Sequence, residues 1–255
     1  MKVSPCETTT LTRYFVIQLL VVFCLSLTVF NSYAFSSVAH KHITKTALKN
    51  LGFDDDSIAQ VWAANRFMDS EFMNWAPAHF DSESFSQGSA ALRERFEKIM
   101  ISIAQCDRKT ALSEIGHSLH AVQDFYSHSN FVEMREQHPM PYPDLFQLED
   151  PGPEVLCQDR ETTTGLTSGY WPDDQTPLGK CSHKDLNKDS FLQNVPFGKP
   201  WHDIAMAAAS EETKNYLLRV FEELQRRYPN SQANLLIDAL KKTPEQPCIP
   251  AYILN

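Results

Sequence analysis

The sequence predicts an all-α domain that carries one long irregular insert. Three observations predict it. Apolar residues recur at three- and four-residue spacing in several segments. No run alternates with period two for long enough to suggest a sheet. Between 137 and 200 the texture changes, with prolines at Pro139, Pro141, Pro143, Pro151 and Pro153 followed by Gly and Thr residues.

The elements follow in order. Residues 40–51 read as a first helix, ended by Gly52. Asp54, Asp55, Asp56 and Ser57 form a capping cluster for a second helix, through Ile58, Val61 and Trp62 to about Asp69. A third spans 90–105, with Leu92, Phe96, Ile99 and Ile103 on one face. The fourth runs from Thr110 to about Glu133. Residues 205–228 form another, with Leu217, Val220, Phe221 and Leu224 on one side, and 233–240 a short last one. A loop as long as 137–200 is usually a functional lid or disordered. It contains His183 within Cys-Ser-His-Lys-Asp-Leu-Asn-Lys-Asp at 181–189, which favours an ordered, functional loop.

The chain opens on a targeting signal. Phe15 to Phe30 is apolar except for Gln18, Ser26 and Thr28, and Ser32 and Ala34 place small residues at −3 and −1 of a cut after Ala34. Domain organisation is therefore a signal peptide at 1–34 and one helical domain at 35–255, secreted, periplasmic or extracellular after cleavage. An uncleaved membrane anchor is the alternative, although the run is short of the roughly 20 apolar residues a spanning helix needs. Cleavage removes two basic residues (Lys2, Arg13) and one acidic residue (Glu7) from totals of 23 and 32, leaving 21 against 31. So acidic a chain excludes broad nucleic-acid binding, which depends on basic surface. Four cysteines remain, an even number that permits disulfides in an exported chain. Cys157 with Cys181 is the first expected pair and Cys106 with Cys248 the remaining one.

The stretch 116–130, Gly-His-Ser-Leu-His-Ala-Val-Gln-Asp-Phe-Tyr-Ser-His-Ser-Asn, carries the chemistry. His120, Asp124 and His128 fall at i, i+4 and i+8, one stripe of a helix with His117 at its edge. No Lys or Arg occurs from Thr110 to Met134, so the stripe is not an ordinary solvated face. Imidazole and carboxylate are the usual nitrogen and oxygen ligands of zinc. His40 and His138 are assigned to surface or core, and Phe125 and Tyr126 to core. Gln123, Ser127 and Asp81 are candidate partners that orient ligand imidazoles.

The motifs "HKHIT" at 40–44, "AN…D" at 64–69, "HFD" at 79–81, "GHSLHAVQDFYSHSNFVE" at 116–133, "H…LNKD" at 183–189 and "HDIA" at 202–205 resemble the Het-C family. That family looks like a branch of the zinc-dependent phospholipase C and single-strand nuclease fold. The resemblance covers about 35–220 and implies a helical bundle of the zinc-dependent phospholipase C type around two to three zinc ions. By position, Asp69, His79 and His120 would hold the first ion, Asp124 would bridge, and His42 with the freed amine of Phe35 would bind the second. His128 would help bind a third, with His183 or His202. The pattern departs in two places. His128 lies four residues past Asp124 rather than six, and Met206 stands where a carboxylate should follow His202.

The implied function is a secreted zinc-dependent hydrolase of phosphate esters, with a phospholipid or similar substrate and contact with a membrane surface. A two-metal site, its ions about 3.5–4 Å apart, generates hydroxide near neutral pH and stabilises an in-line displacement. Asp124 would fix the spacing and Asp69 accept the proton of the attacking water, the catalytic pair of this reading. The alternative is a non-catalytic, zinc-stabilised module of recognition, incompatibility or toxicity. A single-strand nuclease ranks last, since no basic run interleaves with aromatics.

Overall fold

The computed structural model describes residues 35–158, 163, 165–189 and 201–243. The expected signal segment 1–34, Cys248 and the stretch 190–200 of the insert lie outside the described residues. Those described are mostly helical, and the only β pairing among them is two isolated bridges, Ser129 with Ser168 and Tyr170 with Ser182. The all-α class holds. No helix among the described residues is long and apolar enough to cross a membrane.

Helices α1 (Ser37–Asn50) and α2 (Asp55–Glu71) open the domain. The Asp54 side chain caps α2 by accepting from the Ser57 amide at 2.7 Å, as the acidic cluster predicts. Helix α3 (Phe85–Ala104) follows a 3-10 turn at Ala76–Ala78. Helix α4 (Arg108–His128) is the centre, packed against α2, α3 and the long α7 (Trp201–Arg227). From Ser118 to His128 every residue of α4 is buried. Leu119, Phe125 and Tyr126 are fully inside, each worth about 1.5–3 kcal/mol of apolar burial. Gly116 permits this depth. A Cβ there would meet the Val61 carbonyl oxygen at 2.4 Å and the Ala64 Cβ at 2.6 Å, so α2 and α4 touch backbone to backbone.

The helix predicted over 110–133 breaks in two. Ser129 is extended, at ψ 163°, and α5 (Phe131–Gln137) starts afresh. The reason lies in Asn130, whose polar groups serve the insert rather than a helix. Its amide donates to the Thr167 carbonyl at 3.1 Å, its Nδ2 donates to the Gly165 carbonyl at 2.9 Å, and its Oδ1 accepts from the Thr167 amide at 2.9 Å.

The insert is long but packed. Phe146 sets its ring edge-on to Phe96 and stacks on Tyr216. Cys157 and Cys181 form the expected disulfide. The one-turn helix α6 (His183–Leu186) carries the predicted His183 inward, 2 % exposed. Just beyond it Lys188, fully buried, pairs with Glu133 at 3.1 Å and donates to the carbonyls of Ser129 and Leu186 at 2.7 and 2.9 Å. Helix α8 (Asn230–Lys241) packs against α7 and closes the described chain.

Candidate metal centre

Helical phase decides which histidines meet. On α1 the inward residues are Ala39, His40, Ile43, Thr44, Ala47 and Leu48, so His40 faces α4. His42 is two positions away, about 200° round the helix, and is exposed. The place that the resemblance gives to His42 is taken by His40. On α4, His120 and Asp124 are both fully buried on the stripe that the sequence predicts.

Three imidazoles converge on one carboxylate. Asp124 Oδ2 lies 2.7 Å from His79 Nδ1 and 2.9 Å from His120 Nε2, and its Oδ1 lies 3.1 Å from His40 Nε2. His120 Nε2 is also 3.1 Å from His79 Nδ1 and 3.4 Å from Asp69 Oδ1. With zinc–nitrogen bonds of about 2.0–2.1 Å at tetrahedral angles, neighbouring ligand atoms sit roughly 3.3 Å apart. The spacings of 2.7–3.4 Å include ordinary hydrogen-bond lengths and are also short enough for these atoms to share one cation. Several of these buried atoms also lack a well-formed hydrogen bond: His40 Nε2, His120 Nδ1 and Asp124 Oδ1. Such atoms are costly unless something binds them. The donor set fits zinc.

Two of the three rings are oriented from behind. His79 Nε2 faces the Phe72 carbonyl oxygen at 3.1 Å, so the proton belongs there and Nδ1 turns to Asp124. His40 Nδ1 faces Gln123 Oε1 at 2.6 Å. Gln123 Nε2 donates to the hydroxyls of Thr44 and Thr213 at 3.0 and 3.2 Å, which fixes the amide with its oxygen toward His40. Burial works against the Asp124 carboxylate, but the imidazoles of His120, His128 and His40 outweigh it and hold its carboxyl well below the ordinary range. Burial pushes His120 down.

A second cluster lies beside the first. His128 Nδ1 is 2.8 Å from Asp81 Oδ1, and the His128 and His183 rings meet edge to face at 4.4 Å between centroids. The chain reaches Asp81 through a cramped turn, with Phe80, Ser82 and Glu83 all near φ 55°. Burial and the neighbouring His128 push His183 down to about 4, leaving a neutral imidazole.

The other expected residues are placed as follows. Phe35 is fully buried, its ring edge-on to His40 at 5.7 Å and to His202 at 5.8 Å. His202 is buried on α7 with Nδ1 2.6 Å from the Lys188 carbonyl oxygen, outside both clusters. His117 is half-buried beside Glu114 at 3.5 Å, and His138 is exposed.

A model described as the VWA7 N-terminal domain matches residues 37–227. Von Willebrand factor A domain-containing protein 7 of Homo sapiens is 35 % identical over 183 residues, 60 % of this chain and 20 % of the relative. Its counterpart in Rattus norvegicus is 31 % identical over 180 residues, 60 % of this chain and 20 % of that protein. That of Mus musculus is 30 % identical over 209 residues, 71 % of this chain and 23 % of that protein. The chain thus spans about a fifth of the length of the curated relatives it matches. No solved structure matches. These matches overturn the Het-C resemblance. With it fall the phospholipase C-like hydrolase of phosphate esters and the Het-C-type recognition or toxin alternative. Since the family match runs from the first turn of α1 to the end of α7, taking in Asp69, Asp124 and all five histidines of the two clusters, this chain belongs to the VWA7 N-terminal domain family.

Proposed function

We propose that this domain is a zinc-binding module whose Asp124-bridged centre holds the helical bundle together. The observation that carries the reading is the convergence of His40, His79 and His120 on one buried carboxylate, with orphaned polar atoms around it. Asp69, His79 and His120 are close enough to share one ion, with Asp124 Oδ2 touching both imidazoles, and His40, His120 and Asp124 form a second, overlapping group. The Phe35 ring packs edge-on to His40 at 5.7 Å. Zinc at such a site supplies cross-links between elements that are distant in sequence. The residues divide the work. Asp124 joins the two sets, Phe72 and Gln123 orient the imidazoles, and burial keeps His120 neutral as a ligand must be. The curated relatives are named for a von Willebrand factor A domain, and the module is proposed to be the corresponding metal-held part of such a protein.

The test is thermal. Zinc at a thousandfold excess over its dissociation constant stabilises by about 4 kcal/mol, roughly 10 °C for a domain of this size. Chelation of purified protein should lower Tm by that order and zinc should restore it. An unchanged Tm in protein proven metal-free would overturn the proposal.

A further inference from the structure

Asp81, His128 and His183 come from three unconnected places: the turn after the 3-10 segment, the last residue of α4, and α6 within the insert. They are 4 %, 1 % and 2 % exposed. Neither nitrogen of His128 makes a well-formed hydrogen bond, and neither does Asp81 Oδ1, although the two residues touch at 2.8 Å. Their alignment is not that of a well-formed hydrogen bond, and a cation between Nδ1 and Oδ1 would satisfy both; Nε2 faces Asp189 Oδ1 at 3.9 Å.

The backbone around them is built to hold this geometry. One short stretch, Gly169–Tyr170, touches the chain at each ligand. The Gly169 amide donates to the His128 carbonyl at 3.1 Å. The Gly169 carbonyl accepts from the Ser82 amide, next to Asp81, at 2.8 Å, and the Tyr170 carbonyl accepts from the His183 amide at 2.9 Å. Only glycine fits at 169, because a Cβ there would lie 2.4 Å from the His183 Cα. Asn187 Nδ2 lies 3.3 Å from His183 Nδ1, which ties the chain beyond α6 to the ring.

We infer that Asp81, His128 and His183 form a separate divalent-metal site, of zinc type by its two nitrogens and one carboxylate, which clamps the insert onto the end of α4. It stands beside the Asp124 centre and has its own ligands, so either can exist without the other. The proposal extends the zinc-binding reading to the loop: the cation is what keeps 166–189 against the bundle.

The experiment is zinc content of the purified full chain by mass spectrometry, paired with amide hydrogen exchange. Asp81→Asn keeps the side-chain shape and should lose about one zinc per chain. His183→Ala should lose the same ion. In both, amides at 168–170 should exchange at least about tenfold faster, with the core of α4 unchanged. Wild-type zinc content in Asp81→Asn would overturn the site, even if His183→Ala does not fold. Loss of the ion without faster exchange at 168–170 would overturn the clamp. Asp124→Ala separates the two readings: if it keeps every ion while Asp81→Asn loses one, the Asp124 centre falls and this site stands.

Discussion

His79 Nδ1 lies 2.7 Å from Asp124 Oδ2, although 45 residues separate them in the chain. His79 sits on a turn with no regular structure of its own. Its orientation comes from its other nitrogen, against the Phe72 carbonyl oxygen at 3.1 Å, and from burial of the ring. Asp124 is held by α4, the most buried element of the bundle. A rigid helix thus supplies the bridging carboxylate, and less regular chain brings imidazoles to it.

Gln123 orients His40 without facing Asp124 itself. Gln123→Ala should weaken zinc binding about 10–100-fold, the usual cost of losing a partner behind a ligand histidine. Competition with a chromophoric chelator measures it. Wild-type affinity would show that His40 needs no such support.

Lys188 is a buried cation whose neighbours are Glu133 and three carbonyl oxygens, those of Ser127, Ser129 and Leu186. Lys188→Met should destabilise by about 3–5 kcal/mol, because it removes the buried cation paired with the Glu133 carboxylate. Urea unfolding reads this. The double variant Lys188→Met with Glu133→Gln should recover part of the loss.

Gly116→Ala pushes a methyl group into the backbone of α2. Helix propensity alone would favour alanine by up to about 1 kcal/mol. Overpacking should reverse that sign, for a net loss of about 1–3 kcal/mol by chemical denaturation.

Burial raises the Glu114 carboxyl, but hydrogen bonds from His117 and Lys98 and the charge of Arg95 outweigh it and hold it at about 2. A depressed carboxylate stabilises the fold above its unfolded pKa, and that stability drains away as pH falls through the folded one. The contribution should therefore be full above about pH 5 and lost toward pH 2. Glu114→Gln should flatten the acid limb of the stability curve over that window, by on the order of 1 kcal/mol after solvent screening at the edge of the site.

Much of this was legible in the chain. The helices of the bundle follow from apolar spacing, and the Asp54 cap follows from its aspartates. The stripe of His120, Asp124 and His128 follows from periodicity alone. His40 was legible too, since Ile43, Thr44 and Ala47 share its phase, but the motif-based assignment favoured His42. Asp81 as a metal-site residue was not legible. It lies in a left-handed turn where no period relates it to its neighbours. Neither was the break at Ser129, because Asn130 is spent on Gly165 and Thr167, partners 35 and 37 residues away. Local rules see helix phase; they do not see where a long insert returns. The Het-C resemblance points to the wrong family for a related reason: short His/Asp motifs report ligand chemistry, which chains of different families can share.

The Asp124 centre is tested most directly by counting zinc in Asp124→Ala against wild type, each expressed with ample zinc and purified without chelator. Asp124 serves both ligand sets, so the substitution should remove about two ions per chain and leave the ion at Asp81, His128 and His183 in place. An unchanged count in Asp124→Ala, in folded protein, would contradict the account.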